Sequence, residues 1–427
     1  MVFLFAVVLS GGFLAGESLR VGAAAFLARS FDLSHLRLAG KLDPENPEIH
    51  RKLGLHYLDS MQDLNPQLAA AEFRLATQLS PFDAAYWPEL AEACDSSRNN
   101  ACADRALGHA LKLSPMTPRS YWDSALHLVL TGRSDKAWPY FRRLLELDPA
   151  YCLAVLQLCS RSLDDPEFIL QTIYPRQNST LLKVDYINFL ISHDKDDLAY
   201  TVWTRGLARD SSLAFPSMAF FLNALLQAGQ VEKAYMVWQD LERLAVIQNP
   251  PTAGRENLVF NGDFERAPLN AGFDWRVQPS PYLLIDFESP GAYSGAHCLR
   301  VDFTVPRNDE FRPAYEFIPV MPNQLYRLTA YVRSDSITSD SGPRLRVVDP
   351  SCSTCLDAAT KPTLATTPWH PVSLTFATGT RTRLIRLSVW RPRSRSFPFE
   401  ITGTFWLDAV SLKPISVSRQ AAFRQDP

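Results

Sequence analysis

Cys352 and Cys355 are the residue pair in this sequence whose spacing points most directly to chemistry. They form the stretch "CSTC", and Pro350 lies just before it. A redox dithiol motif would follow a strand and open a helix, whereas this one falls in a loop between predicted strands. A disulfide between Cys352 and Cys355 is the favoured interpretation, followed by free thiols and then by a catalytic or metal-binding role. Such a disulfide would indicate an oxidising compartment.

Other catalytic motifs do not occur in the sequence. There is no nucleophile elbow, His-Glu-x-x-His helix, phosphate-binding glycine loop or Cys-His pair of recognisable spacing, and the histidines are isolated. Acidic residues are plentiful, but the fold rather than the spacing sets a glycosidase carboxylate pair. We therefore expect no enzyme activity and no required cofactor.

Two strand-like segments carry aromatic and basic side chains on one face. Period-two counting along "LYRLTAYVRS" (325–334) places aliphatic residues on a core face and Arg327 with Tyr331 on the other. In "RLIRLSVW" (383–390), Arg386 and Trp390 share the face opposite the aliphatic residues. These four residues are the candidates for a polar, aromatic-bearing sheet face.

A helix-ending motif recurs through the N-terminal half of the chain. "LDP" or "LSP" places prolines at 44, 81, 115 and 149, with spacings of 37, 34 and 34 residues. Counting back from the last three prolines gives apolar residues at matching positions, namely Ala69, Phe73 and Ala76, then Ala103, Leu107 and Ala110, then Ala137, Phe141 and Leu144. This period and pattern resemble the tetratricopeptide repeat, a helix-turn-helix unit.

The repeat continues in weaker form toward residue 246. Ala199 and Trp203 lie four residues apart, as do Ala234 and Trp238. We predict an α-solenoid of about six helix pairs over residues 22–246, with these tryptophans in its core. The resemblance implies a concave surface that binds a protein partner.

The stretch "NLVFNGDFE", residues 257–265, ends the helical pattern. Pro250, Pro251 and Gly254 predict a short linker over residues 247–256. Alternating segments separated by turn residues follow, among them "YEFIPV", "RLRVVD", "HPVSLTFAT" and "TFWLDAVSL". They predict a jelly-roll β-sandwich of roughly eight strands over residues 257–414, with "NLVFNGDFE" as its first strand and turn and 415–427 as a tail.

The sandwich segment resembles carbohydrate-binding modules of families 4 and 9. "NLVFNGDFE", "GFDWRV", "SGAHCLRVDF", "LYRLTAYVRS" and "TFWLDAVSL" carry the resemblance. It implies a structural calcium where the first turn meets the last strand, with Asn261, Glu265 and Asp408 as ligands. Ala409 stands where the family often has a second acid. In the alternative, Glu265 and Asp408 only cap turns.

The same resemblance implies a surface for polysaccharide. A pyranose presents C–H groups on its face and hydroxyls on its edge, so binding needs exposed rings beside hydrogen-bonding side chains. Tyr331 and Trp390, with Arg327 and Arg386, are the candidates for glycan binding. The alternative is an ordinary open sandwich face.

The first residues, "MVFLFAVVLSGGFLAG", carry no charge. About fifteen residues span about 22 Å, short of the roughly 30 Å hydrocarbon layer. We expect residues 1–21 to be a membrane anchor or a cleaved signal sequence, with a buried helix as the third alternative. Arg20, Arg29 and Arg37 follow, which the positive-inside rule would place in the cytoplasm. That orientation conflicts with an extracytoplasmic location, so the orientation stays open.

Charge argues against a nucleic-acid partner. Residues 255–427 hold 20 Lys and Arg against 17 Asp and Glu, a net of +3, and the preceding residues hold 23 against 28, a net of −5. Nucleic-acid binders normally show a domain-wide basic excess.

The sequence thus predicts a multi-domain chain, α then β: an N-terminal apolar helix, a solenoid of tetratricopeptide-type helix pairs and a C-terminal jelly-roll sandwich. We expect a non-catalytic scaffold in the bacterial envelope that binds a protein partner, with possible glycan contact, in envelope or exopolysaccharide export. The alternatives are an adaptor that binds only protein, with a structural sandwich, and a glycan-processing enzyme.

Overall fold

A computed structural model describes residues 2–160, 165–175, 179–248 and 257–415. Its contacts divide the chain into two compact units, Met1–Leu182 and Lys183–Pro427, called here the N-terminal and C-terminal units. Helices precede two antiparallel sheets, as the sequence predicts. The predicted linker falls largely outside the described residues, so a division at 247–256 stays a prediction.

Helices occupy all of the described chain before residue 244 apart from their connections. In chain order they are α1 (Val2–Leu27), α2 (Leu33–Leu42), α3 (Pro47–Asp59), α4 (Pro66–Leu79), α5 (Tyr86–Ser96), α6 (Asn100–Leu113), α7 (Pro118–Leu130), α8 (Ser134–Leu147), α9 (Cys152–Cys159), α10 (Pro166–Thr172), α11 (Thr180–Ile191), α12 (Asp196–Val202), α13 (Phe215–Gln227) and α14 (Val231–Arg243). Among these described helices, none is both long and apolar enough to span a membrane. The role of residues 1–21 as an anchor or a signal sequence stays a prediction.

The proline motif ends helices where the sequence predicts. Helices α2, α4, α6 and α8 each end on the leucine two residues before a motif proline. The residue between them is Asp or Ser, and its backbone N–H closes the last turn by donating to the carbonyl four residues back. Side chains of Asn46, Asn65 and Asn99 then cap the N-termini of α3, α4 and α6.

The small and large positions of the repeat form the core of the N-terminal unit. Ala69, Phe73 and Ala76 of α4 have no solvent exposure, and the matching residues of α6 and α8 are equally buried. Gly54 of α3 packs directly against the ring of Phe73, since a Cβ at Gly54 would lie 2.8 Å from Cζ of that ring. The helix pairs therefore pack as the spacing predicts.

Two five-stranded antiparallel sheets form the sandwich of the C-terminal unit. The first sheet has the order β1-β4-β9-β6-β7 and the second β2-β3-β10-β5-β8. The strands are β1 (Arg276–Val277), β2 (Leu283–Ser289), β3 (Cys298–Arg307), β4 (Ala314–Pro319), β5 (Leu325–Ile337), β6 (Arg344–Val348), β7 (Asp357–Ala359), β8 (Ala365–Ala377), β9 (Leu384–Trp390) and β10 (Ile401–Pro414). Buried residues of both sheets share one apolar core that includes Trp275.

The expected first strand is not a strand. The segment 257–265 runs beside β10, where Leu258 N–H donates to the carbonyl of Leu412. The side chain of Asn257 makes the next bonds, because its Oδ1 accepts from Leu412 N–H and its Nδ2 donates to the carbonyl of Val410. The side chain of Asn257 therefore makes hydrogen bonds to β10 that the backbone of a paired strand would otherwise make. The predicted turn is present, with Asn261 at a positive φ of 51°.

Helices α13 and α14 pack against the sandwich within the C-terminal unit. The ring of Trp238 lies edge-on to those of Phe260 and Phe273, with centroids 5.1 and 5.7 Å apart. The Oδ1 of Asn223 accepts hydrogen bonds from Gly272 N–H at 3.3 Å and from Arg276 Nη2 at 2.8 Å. Apolar rings and a polar clamp therefore join the last helix pair to the β1 end of the first sheet.

Candidate functional site

Period-two counting assigns the faces of β5 and β9 correctly. The alternate aliphatic residues of both strands are buried, whereas Arg327 is exposed and Tyr331, Arg386 and Trp390 are half-buried on the outer side. The two strands belong to different sheets, however. The prediction that Tyr331 and Trp390 form a single face is therefore wrong: they lie on the two opposite outer faces of the sandwich. Counting along one strand cannot reveal which sheet the strand joins.

The outer face of the first sheet, called here the arginine face, combines rings with guanidinium groups. Its members are Arg276 of β1, Tyr315 and Phe317 of β4, Arg386, Ser388 and Trp390 of β9, Arg344 and Arg346 of β6, and the preceding-loop residues Glu310 and Arg312. The strand registers place Phe317 opposite Arg386, Tyr315 opposite Ser388 and Trp390 opposite Arg344. These side chains consequently form one continuous surface.

Each aromatic ring of this face lies beneath or beside a guanidinium group. The Cζ of Arg346 lies 4.2 Å from the Trp390 ring centroid, and the Cζ of Arg276 lies 4.9 Å from that of Phe317. The indole Nε1 of Trp390 donates to Glu310 at 2.9 Å. Cation–π contacts of this kind are attractive and hold each ring against a guanidinium group.

Burial lowers the pKa of three of these arginines. For Arg276, Arg344 and Arg386 the main cause is desolvation, and at Arg386 the neighbouring charges of Arg312 and Arg346 act in the same direction. Three N–H groups, Nη1 of Arg276 and Nε of Arg312 and Arg386, are buried with no acceptor among the described residues. Unpaired buried donors of this kind are costly.

A cavity of about 420 Å³ lies at the β1 edge of this face. Phe317, Tyr315 and Arg276 line one side of it, and Asn223 and Gln227 of α13 line the other. Rings on one wall and amide groups on the opposite wall suit a ligand with apolar and hydroxyl surfaces.

The outer face of the second sheet carries a separate aromatic cluster. The ring of Tyr293, from the loop before β3, stacks on Tyr331 with centroids 3.5 Å apart, and Trp369 lies 6.2 Å from Tyr293. Tyr293 therefore covers one face of the Tyr331 ring. Further along this sheet Trp406 contacts Arg333, whose Cζ lies 4.6 Å from the ring centroid.

The proposed calcium ligands hold the loop that carries Tyr293. Asp408 Oδ2 accepts from Ser294 N–H at 2.9 Å, and Glu265 Oε1 accepts from the N–H groups of Ala296 and His297 at 2.7 and 3.1 Å. Asn261 is buried, and its Oδ1 has no partner among the described residues. The oxygens are of the type that calcium prefers, and both carboxylates accept hydrogen bonds from backbone N–H groups of this loop. The hydrogen bonds of loop capping are therefore present, and calcium binding by these residues stays a prediction.

Two disulfides join cysteines within the described residues. One joins Cys352 to Cys355 in the turn between β6 and β7. The other joins Cys94 of α5 to Cys102 of α6, across the turn of a helix pair. Sequence reasoning missed this second pair, although cysteines eight residues apart on either side of a predicted helix turn could have indicated it.

Two carboxyl groups are buried beneath the arginine face. Glu316 of β4 has no solvent exposure, and its Oε1 accepts from Phe260 N–H at 2.8 Å. Asp274 accepts from the N–H groups of Leu269 and Trp275, both at 2.7 Å. Burial raises the pKa of Asp274 to about 7 and that of Glu316 well above its ordinary value. In the described part of the chain, no group of three or more His, Cys, Asp and Glu is placed to hold a metal ion.

No protein-family model matches the chain, and no curated protein does either. Among solved structures, "CBM4 structure and function" is 13% identical over 37% of this chain and 99% of its own, with a TM-score of 0.28. "Crystal structure of MamA" is 17% identical over 40% and 82%, with a TM-score of 0.26. TmCBM61 in complex with β-1,4-galactotriose is 13% identical over 37% and 99%, also with a TM-score of 0.26. At TM-scores this low, these likenesses carry no argument for a function.

Proposed function

We propose that this protein is a non-catalytic scaffold whose sandwich binds a glycan through the arginine face. The observation that carries the proposal is that rings, guanidinium groups and an amide-lined cavity of about 420 Å³ lie on one surface. Rings pack against the C–H face of a sugar, and amide and guanidinium groups bind its hydroxyls.

The helical part supplies the scaffold in this proposal. Helix pairs built on the repeat pattern present their first helices as a surface for a protein partner. The two disulfides support an oxidising, extracytoplasmic location, such as the bacterial envelope. Polysaccharide export machinery is one setting in which a protein partner and a glycan would be bound together.

Matched variants of the full chain can decide between the two outer faces. Trp390→Ala removes the tryptophan ring of the arginine face, and Tyr331→Ala removes a ring of similar burial on the opposite sheet. We expect Trp390→Ala to weaken retention in affinity electrophoresis by about five- to thirtyfold, because truncating an interface aromatic costs about 1–2 kcal/mol. Tyr331→Ala should bind as the wild type does.

The reverse result would place the site on the second sheet. If the wild-type chain is retained by no polysaccharide of a broad neutral and charged panel, the sandwich is structural and the protein-binding adaptor is the better hypothesis. Thermal unfolding midpoints of both variants serve as the control for folding, since each side chain lies on an outer face.

A further inference from the structure

The arginine face carries more positive charge than its own carboxylates neutralise. Arg312 pairs with Glu310 at 2.8 Å, and Arg346 pairs with Asp357 of β7 at 2.6 Å. The remaining arginines, Arg276, Arg344 and Arg386, form no ion pair with any residue in the described ranges. Guanidinium groups stay charged in proteins, so this surface holds an excess of positive charge.

Arg386 lies at the centre of this excess. Its strand neighbours are Phe317 on β4 and Val348 on β6, so no carboxylate lies opposite it. The nearby charges that act on it most strongly are those of Arg312 and Arg346, and both are repulsive. Arginine side chains brought together without a counter-ion are arranged for an anion from outside the chain.

We propose that the glycan bound by the arginine face is anionic, and that Arg386, with Arg276 and Arg312, binds its carboxylate or sulfate groups. This inference rests on the proposed function. A guanidinium group donates two parallel N–H bonds to the oxygens of a carboxylate, and its N–H groups also bind the oxygens of a tetrahedral sulfate. The sugar ring then lies against Phe317 and Tyr315, and hydroxyls reach Asn223 and Gln227 in the cavity.

The composition of the surface favours an acidic glycan over a nucleic acid. Rings and amide groups separate the arginines of this face, and residues 255–427 carry a net charge of only +3. A duplex carries one charge per roughly 1.7 Å of its axis and is bound by a more uniformly basic surface. A uronic-acid or sulfated polysaccharide carries its charges farther apart, on rings that can stack.

Binding of the full chain to paired polymers tests the inference. The panel consists of uronic-acid polysaccharides, each with its carboxyl-reduced form, together with dextran and dextran sulfate on a shared backbone. We expect retention by at least one carboxylated or sulfated polymer and about tenfold or more weaker binding of its neutral partner, because a hydrogen bond to a charged group is worth about 1.5–3 kcal/mol. The carboxylated and sulfated polymers distinguish the two kinds of anion.

Substitutions then assign the effect to Arg386. Arg386→Gln should weaken binding of the anionic polymer to the level of its neutral partner, and Arg386→Lys should restore part of it, since lysine keeps the charge but not the planar fork. Arg327→Gln, an exposed arginine on the other sheet, is the control and should bind as the wild type does. Arg312→Gln provides a second test if Arg386→Gln lowers the unfolding midpoint.

Four results would overturn the inference. Equal binding of anionic and neutral partners would refute the anionic ligand while leaving the proposed glycan function intact. An equal loss of polymer binding in Arg327→Gln and Arg386→Gln would show that the attraction is nonspecific electrostatics. If duplex DNA binds with the same dependence on Arg386, the ligand of the arginine face is a nucleic acid and not a glycan. Absence of binding to every polymer, by contrast, refutes both the inference and the proposed function.

Discussion

Asp274 and Glu316 are acidic residues placed where ionisation is unfavourable. Asp274 is held by two backbone N–H groups, which favour its charge, yet burial outweighs them and raises its pKa to about 7. The charge of Arg276 also favours ionisation of both carboxyls, whereas the charge of Asp274 opposes ionisation of Glu316.

The pH dependence of stability follows from the raised pKa of Asp274. Between its ordinary pKa of 3.8 and its folded value of about 7, the folded state binds more protons than the unfolded state. The free energy of unfolding therefore falls as the pH rises through this range, by about 1.4 kcal/mol for each pKa unit. Glu316 acts in the same direction. We expect the thermal midpoint of the wild type to fall between about pH 4.5 and about pH 7.5 more steeply than that of Asp274→Asn.

The comparison of the two midpoints isolates Asp274 from other titrating groups. Asp335→Asn, at an exposed acid of β5, is the matched control and should keep the wild-type slope. Parallel curves for the wild type and Asp274→Asn would show that Asp274 has an ordinary pKa in the folded protein. Asn supplies one acceptor where Asp supplies two, so the variant is expected to be less stable at low pH.

At the residue scale, the sequence predicts which way a side chain of a strand points, but not which side chains of other strands lie beside it. Alternation along β9 is enough to turn Arg386 and Trp390 outward, because side chains of a strand alternate between faces. Their neighbours Tyr315 and Phe317 come from β4, some seventy residues earlier, and only the pairing of β4 with β9 brings them together. Strand pairing is a non-local property, and one sequence gives little information about it.

At the scale of elements, the helix pairs are held by the fit of small residues against large ones. Gly54 of α3 faces the ring of Phe73 in α4, and a Cβ there would lie within 2.9 Å of three ring atoms. Gly108 of α6 is also within a helix, but a Cβ there would meet nothing within 4 Å. Substitutions at Gly54 and Gly108 therefore test the contribution of packing and the contribution of helix propensity separately.

Replacing these glycines by alanine should change stability in opposite directions. We expect Gly54→Ala to destabilise the protein by about 1–3 kcal/mol, because the added methyl overpacks the core. Gly108→Ala should stabilise it by roughly 0.5–1 kcal/mol, since alanine favours the helix. Urea unfolding measures both. A Gly54→Ala variant as stable as the wild type would mean that the packing between α3 and α4 is looser than the structure shows.

Element boundaries were predictable where local rules act alone. The motif prolines end α2, α4, α6 and α8 because proline cannot continue a helix. The prediction of a first strand was wrong because a contact between residues distant in sequence outweighs the local preference. The residues of "NLVF" favour a strand, but the side chain of Asn257 makes the bonds that a ladder would require, and only its position beside β10 allows this.

At the scale of the whole molecule, the sequence suggests a boundary where composition changes, whereas contacts divide the chain between Leu182 and Lys183. The last helix pair groups with the sandwich because Trp238 packs against Phe260 and Phe273. Gly272 allows this approach: its φ is +59°, and a Cβ there would lie 2.3 Å from the Trp238 ring. A prediction from composition cannot detect such a contact, since a proline-rich segment separates the two sides in sequence.

Cleavage between the last helix pair and the sandwich should therefore leave the two fragments bound to each other. A specific protease site inserted after Pro251 permits cleavage there. We expect the fragments to elute together in size-exclusion chromatography, because the rings of Trp238, Phe260 and Phe273 and the bonds of Asn223 remain in place. Gly272→Ala should release them, since a side chain at a positive φ against a ring costs about 1 kcal/mol or more in strain and displaces the indole. Separate elution of the wild-type fragments would instead show two independent domains that meet only through the covalent chain.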